Sequence, residues 1–282
     1  MAKFPTPPKG KTLAAVIGHP VQHSLSPTIY NAAFSFDQID WIYVAVEVLK
    51  GDVKLLLDEM HVLPVGGLSV TMPHKETVAN LVDRCTDQVK KLGVANCVYR
   101  DGDTLVGHNT DGEGFLRSLK EETNEEVAGK TYLIIGAGGA ARAVSLALGE
   151  SGAKEVIVAN RDKTKASSAA SLAGPSGRVG KTSEAHLADV IINATPLGMG
   201  GTGNEEQLPL PVTNIQKEQI VVDLIYNPLE TPLLVSARRL GARTVNGIGM
   251  LVHQAALQYV LWTGKEAPLD VMFHAVTKEI SQ

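Results

Sequence analysis

Short apolar runs rich in β-branched residues alternate with helical stretches along nearly the whole chain, and few folds accept that pattern. Leu13–Ile17 reads as a buried strand ending at Gly18. A helix is expected after Ser26-Pro27, with Ile29, Ala32, Ala33 and Phe34 at helical spacing. Strands are expected at 41–46, 67–71 and 95–99, with a helix over 53–60; Pro73 stops the third strand and Asp101-Gly102 turns the fourth. The acidic stretch 120–130 (Glu121, Glu122, Glu125, Glu126) reads as an exposed loop. A second series of strands follows at 131–135, 155–159, 189–192, 219–225 and 243–245, closed by a long helix from Met250 to about Gly264. The segment 173–184, rich in Gly, Ser and Lys, reads as a mobile surface loop. Such alternation builds βαβ units on a mostly parallel sheet. The expected architecture is α/β and two-lobed, with the C-terminal helix returning to the first lobe. The crossings are expected at Gly107–Gly114 and Asn246–Met250.

Several function classes are disfavoured by composition. The 282 residues are 44% hydrophobic, enough for one large core or two smaller ones. The net charge is -4 with acids and bases interspersed, so no basic stripe invites nucleic acid. No apolar run is long enough to span a bilayer, and the polar, Pro-rich start lacks a signal peptide's apolar core. The two cysteines, Cys85 and Cys97, form no C-x-x-C pair, and no Cys/His cluster has zinc spacing. The expectation is a cytoplasmic protein with reduced thiols, no bound metal, and no membrane or nucleic-acid partner.

The strongest single motif is Gly136-Ala137-Gly138-Gly139-Ala140-Ala141-Arg142-Ala143, set between a buried strand and a helical run. In that context G-x-G-x-x-A marks a dinucleotide site. Gly136 permits the tight turn, Gly138 admits a pyrophosphate, and Ala141 keeps helix and strand close. The helix N-terminus adds free N–H groups and a positive dipole end. An NAD site usually places Asp or Glu at the end of the next strand. Here that strand ends in Asn160-Arg161, with Lys165 nearby, groups suited to a 2′-phosphate. NADP is therefore expected. Asp162 argues the other way, because turned inward it would repel that phosphate and accept from an NAD ribose.

Four further motifs suggest a polar pocket. His23-Ser24-Leu25-Ser26-Pro27 places two hydroxyls on one loop, able to hold a carboxylate, and equally suited to a helix cap at Ser26. Ser69–Glu76 puts Lys75 just past a strand's C-terminal end, where open α/β sheets bind ligands. Lys75 is a candidate general acid/base, though a lysine at a helix start is more often merely solvated. Asp111, between Asn109-Thr110 and Gly112, could pair with such a lysine, or simply cap a turn. Gln254 on the last helix could offer an amide to a ligand, and Met250 could pack on a nicotinamide face, although a methionine at helical spacing is more often plain core.

Together these motifs resemble the shikimate dehydrogenase family. Its motifs read H-S-x-S-P, N-V-T-x-P-x-K, N-T-D-x-x-G, G-A-G-G-A-x-R-A, N-R, N-A-T-P-x-G-M, Y-x-P-x-x-T-P-L-L and G-x-x-M-L-x-x-Q-A. The chain matches them in order from about residue 16 to residue 262, including Asn193–Met199 and Tyr226–Leu234. The resemblance implies a substrate-binding domain over 1–111 and 247–282 and a Rossmann-like NADP-binding domain over 112–246, in a two-lobed fold whose cleft closes over both ligands. It implies that Ser24 and Ser26, helped by Tyr226, hold the substrate carboxylate. Thr71, Asn96, Asp111 and Gln254 would bind ring hydroxyls, with Lys75 as acid/base and Asp111 orienting it. Gly136, Ala137, Gly138, Gly139, Ala140, Asn160, Arg161, Lys165, Thr195, Gly247 and Met250 would line the cofactor site. Two departures stand out: Ser69 replaces the motif's Asn, and Asn246 replaces the usual acid before Gly247.

The implied reaction is NADPH-dependent reduction of 3-dehydroshikimate to shikimate in aromatic amino acid biosynthesis, by a monomer or homodimer. A quinate or dual-specificity dehydrogenase is the nearest alternative, and a non-catalytic sensor of the same ligands is another.

Overall fold

The structure, a computed structural model, describes residues 3–280. The chain divides into two compact units, Met1–Thr110 with Val252–Gln282, and Asp111–Leu251.

The first unit holds β1 (Thr12–Gly18), α1 (Ser26–Phe36), β2 (Trp41–Glu47), α2 (Val53–Val62), β3 (Val65–Val70), α3 (Lys75–Leu81), β4 (Arg84–Cys85), α4 (Asp87–Leu92), β5 (Cys97–Asp101) and β6 (Thr104–His108). Its sheet runs β2-β1-β3-β5-β6-β4. Strand β1 lies between two parallel neighbours and is buried from Leu13 to Gly18, which is why it reads as an unbroken apolar run. The sheet is mostly parallel, as expected, with β1–β2, β1–β3 and β4–β6 all parallel. Strand β5 pairs antiparallel with both β3 and β6, because β5 and β6 form a hairpin. Its two-residue loop, Gly102-Asp103, has Gly102 at φ +62, and Asp103 is not among the positive-φ residues, the pattern of a type II′ turn.

Two glycines in β3 make room for indoles. A Cβ on Gly66 would overlap the Trp41 ring, and one on Gly67 would overlap Trp262. Trp262 cannot swing aside freely, since its Nε1–H donates to Val98 O (3.0 Å) and its ring lies 4.9 Å from Tyr30. Gly67→Ala is therefore expected to cost about 2–3 kcal/mol by overpacking. Thermal melting should show a fall of about 5–10 °C; an unchanged melting point would mean the indole yields.

The second unit holds α5 (Asp111–Thr123), β7 (Thr131–Ile135), α6 (Gly139–Glu150), β8 (Glu155–Ala159), α7 (Lys163–Ser171), β9 (Gly177–Val179), β10 (Val190–Asn193), β11 (Ile220–Asp223), α8 (Pro232–Arg239) and β12 (Arg243–Val245). Its sheet, β12-β11-β10-β7-β8-β9, is parallel throughout. Alternate residues face two cores. Tyr132, Ile134, Val156, Val158 and Ile192 pack with Phe115, Val144 and Leu148, while Leu133, Ile135, Ile157 and Ile191 pack with Leu233, Leu234 and Ala237. Each fully buried side chain of this kind contributes about 1.5–3 kcal/mol.

Two expected loops are structured in part, and residues 124–130 form a loop as expected. Residues 120–123 form the last turn of α5, where Leu119 is buried and the charges face outward; Lys120 pairs with Glu126 at 2.5 Å. Within 173–184 lies β9, parallel to β8, where Arg178 bridges Glu155 (2.8 Å) and Glu184 (2.7 Å). Helix α9 (Ile248–Thr263) begins in this unit and continues into the first, which ends with α10 (Leu269–Ile280) packed on α1.

Candidate active site

In the first unit, the C-terminal ends of β1 and β3 and the start of β5 converge. Thr71 N donates to Ile17 O, and His19 N to Met72 O, both at 2.9 Å. Val70 N donates to Asn96 O (2.8 Å) and Ala95 N to Lys75 O (2.9 Å). Thr71, Lys75 and Asn96 thus leave one edge of the sheet together, as ligand sites of open α/β sheets do. The loop from β1 carries Ser24 and Ser26. Ser26 is not the helix cap. It is the first residue of α1, and its N–H donates to Ser24 Oγ (3.3 Å).

Lys75 opens α3 and is half-buried. The preceding His74 is 1% exposed, and its Nε2–H donates to Val48 O (2.7 Å). A carbonyl can only accept, which assigns the proton to Nε2. Pinned by that bond and by Ala95, the backbone fixes where the Lys75 side chain starts.

Asn96 is 2% exposed. Its Oδ1 accepts from Thr110 N (2.8 Å), and its Nδ2 donates to Thr110 Oγ1 (3.0 Å) and Gln254 Oε1 (3.4 Å). The residue that ties these amides together, Gln258, carries no motif signal. It is fully buried, and its Oε1 accepts from Ser69 Oγ (2.5 Å) and Tyr30 OH (3.0 Å). Its Nε2 reaches Gln254 Oε1 (2.8 Å), Thr110 Oγ1 (3.1 Å) and Asn96 O (3.3 Å). Tyr43 OH donates to Ser69 Oγ (2.6 Å). Burial pushes both Tyr30 and Tyr43 well above the usual phenol range, so both remain donors at any working pH.

In the second unit, the C-terminal ends of β7, β8 and β10 carry the glycine-rich loop, Asn160-Arg161 and Thr195. Gly136 N donates to Ala159 O (2.9 Å) and Ala194 N to Ile135 O (2.8 Å). Gly136 has φ +115, and a Cβ there would lie 2.7 Å from Ala194 O, so only glycine fits. Gly138 is exposed, with nothing within 4 Å of an added Cβ, which leaves the backbone approachable beside Ala137, Gly139 and Ala140 at the start of α6. The loop thus has the shape a pyrophosphate needs.

Asp162 caps α7, accepting Lys165 N at 3.0 Å, and Asn160 Nδ2 donates to Asp162 O (3.1 Å). Arg161 and Lys165 are exposed at the same end of the sheet. Thr195 is held by Asn193, whose Oδ1 accepts both Thr195 Oγ1 (2.7 Å) and Thr195 N (3.1 Å). Asn193 in turn donates to Asp223 Oδ1 (3.0 Å). Asp223 is fully buried, and burial pushes it up to about 6 against the donors from Thr231, Ile225 and Asn193.

The remaining expected positions also fall in this unit. Asp111, 4% exposed, begins α5. Tyr226 is half-buried just after β11. Gly247 N donates to Ile225 O (3.0 Å), and a Cβ at 247 would overlap Leu224 O. Met250 is 8% exposed and belongs to the hydrophobic core. Asn246 Oδ1 accepts Ile248 N (3.1 Å), a bond an acid could make equally well. Among the described residues, no cluster of His, Cys, Asp or Glu could hold a metal, and no helix is long and apolar enough to cross a membrane.

Three family models match along the chain: the shikimate dehydrogenase substrate-binding domain over 16–98, shikimate/quinate 5-dehydrogenase over 118–224, and the shikimate 5′-dehydrogenase C-terminal domain over 247–276. A shikimate dehydrogenase (NADP(+)) of Moorella thermoacetica is 43% identical over 270 residues, covering 92% of this chain and 90% of that one. The chain belongs to the shikimate dehydrogenase family. These are oxidoreductases, and the curated relatives are named for NADP(+). A solved shikimate dehydrogenase in complex with NADP+ is similar at a TM-score of 0.90 and 35% identity, covering 96% of each chain. Quinate dehydrogenase of Corynebacterium glutamicum in complex with NAD is also similar, at 0.87 and 30%, covering 95% and 99%. Within this family the fold alone does not choose between substrates or nicotinamide cofactors.

Proposed function

We propose that this chain catalyses the reversible NADPH-dependent reduction of 3-dehydroshikimate to shikimate. The observation that carries this reading is the set of donor-acceptor side chains at one sheet edge, Thr71, Lys75, Asn96 and Gln254, downstream of the Ser24–Ser26 loop. A polyhydroxylated ring acid suits such a set, because an analogue lacking a hydroxyl would leave buried polar groups unpaired. Ser24 and Ser26 hold the carboxylate with Tyr226, and Thr71, Asn96, Asp111 and Gln254 take ring hydroxyls. Bound NADPH supplies the hydride. As the carbonyl oxygen gains charge, Lys75 delivers a proton to it, with Asp111 as the carboxylate that orients the ammonium. In the oxidising direction the neutral amine takes the proton back.

NADP is favoured over NAD by the geometry at the end of β8. The Asp162 carboxylate lies on the α7 amide, while Arg161 and Lys165 stand exposed beside it. A domain pairing of 1–111 with 247–282 for substrate and 112–246 for cofactor belongs to the same reading. So does a cytoplasmic place in chorismate and aromatic amino acid biosynthesis.

The test is NAD(P)H formation by purified protein, with shikimate or quinate each paired with NADP or NAD. Shikimate with NADP is expected to give the highest kcat/KM. Preference for quinate with NAD would move the assignment to the other branch of the family. Binding without turnover in every pair would make the chain a sensor.

A further inference from the structure

The polar cluster behind Asn96 and Gln254 explains the departure at Ser69. A serine reaches less far than the asparagine of the N-V-T-x-P-x-K motif and carries no amide. Ser69 Oγ instead donates to Gln258 Oε1 at 2.5 Å, and the Gln258 amide spans from there to Gln254, Thr110 and Asn96. Gln258 lies one helical turn after Gln254 on α9, so the two amides stack on one helix face.

The hydrogen-bond directions are fixed by chemistry. The Tyr30 hydroxyl and Ser69 both donate to Gln258 Oε1, and Tyr43 donates to Ser69. Gln258 Nε2 faces the Asn96 backbone carbonyl (3.3 Å), which can only accept, so that end of the amide is the donor. That nitrogen and Asn96 Nδ2 both point at Gln254 Oε1, so the Gln254 carbonyl is turned inward and its amino group lies on the opposite side. Reversing Gln258 would set its carbonyl oxygen against the Asn96 backbone carbonyl, which can only accept.

We infer that Gln258 is a positioning residue that, together with Ser69, supplies the amide missing at position 69 and sets the orientation in which Gln254 and Asn96 meet the substrate ring. Low local dielectric makes such a network effective when every member is satisfied and costly when one is lost. The inference rests on the shikimate reading for its kinetic consequence, and on geometry alone for the amide orientation.

The test compares wild type with Gln258→Ala, Gln258→Glu and the double variant Ser69→Asn/Gln258→Ala. Gln258→Glu keeps the acceptor for Ser69 and Tyr30 but offers no amide donor to Gln254. Both single variants are expected to raise the KM for shikimate about 10- to 100-fold, with the KM for NADP within about twofold. The double variant should return to within about threefold of wild type, a coupling that independent structural damage would not produce. Thermal melting identifies any variant that fails to fold, and Gln258→Glu, which keeps the volume, covers the loss of Gln258→Ala. A shikimate KM within twofold of wild type in a folded single variant, or a double variant no better than Gln258→Ala, overturns the inference. Inactivity of wild type toward shikimate would instead sink the substrate reading. The positioning role is then read from the Gln254 side-chain amide NMR signal without ligand, which should move in Gln258→Glu and whose failure to move overturns it.

Discussion

Replacing Lys75 by alanine should lower kcat for shikimate oxidation and for the reverse reduction by about 10²–10⁴-fold, the range lost when a positioned acid/base is removed. The KM values should change little by comparison, since the proton shifts only as the bond to hydrogen forms or breaks. The fold should survive. Lys75 is half-buried at the start of a seven-residue helix, and the bonds that shape the turn belong to the backbone and to His74. An equal melting point with a collapsed kcat would place the loss in chemistry. Asp111→Asn should weaken the same step, and the double variant should be little worse than Lys75→Ala alone, because residues acting as a unit are not additive. Turnover within a few-fold of wild type in Lys75→Ala would remove this residue from the mechanism.

How far the sequence anticipated the structure follows from what each element buries. Strands β1, β7, β8, β10 and β11 are covered on both sides and so are written as apolar runs. The two-residue β4 and the three-residue edge strand β9 bury too little to leave such a run. Charge misled at 120–123, where the last turn of α5 hides only Leu119 and Thr123. The glycine-rich loop was legible because its chemistry is local: a turn needing positive φ at Gly136, then a helix N-terminus. Lys75, Asn96 and Gln254 were legible only as members of a motif set. Gln258 was not legible, since its partners Ser69 and Asn96 are 189 and 162 residues away. Asp223 read as one more strand residue, although its carboxylate organises the loops that follow β10 and β11.

That carboxylate should contribute strongly to the stability of the second unit. Asp223 accepts Asn193 Nδ2 (3.0 Å), Ile225 N (3.1 Å) and Thr231 Oγ1 (2.7 Å), all from buried positions. Alanine would leave three buried donors short of an acceptor, at about 1–3 kcal/mol each before relaxation and entering water. A loss of about 3–5 kcal/mol at pH 7.5 is expected in urea unfolding. Because Asn193 also fixes Thr195, the KM for NADP should rise with it. The pH dependence has a definite sign. Burial raises the folded carboxyl from 3.8 to about 6, so the native state holds this proton more tightly than the unfolded chain does. Its contribution is full below pH 3.8 and is lost as pH rises through about 6. That rise is worth at most about 3 kcal/mol. The stability gap between wild type and Asp223→Ala should therefore widen as pH falls from 7.5 to 5. A gap that stays constant or narrows would mean that the three donors outweigh burial and that the buried carboxyl is not raised at all.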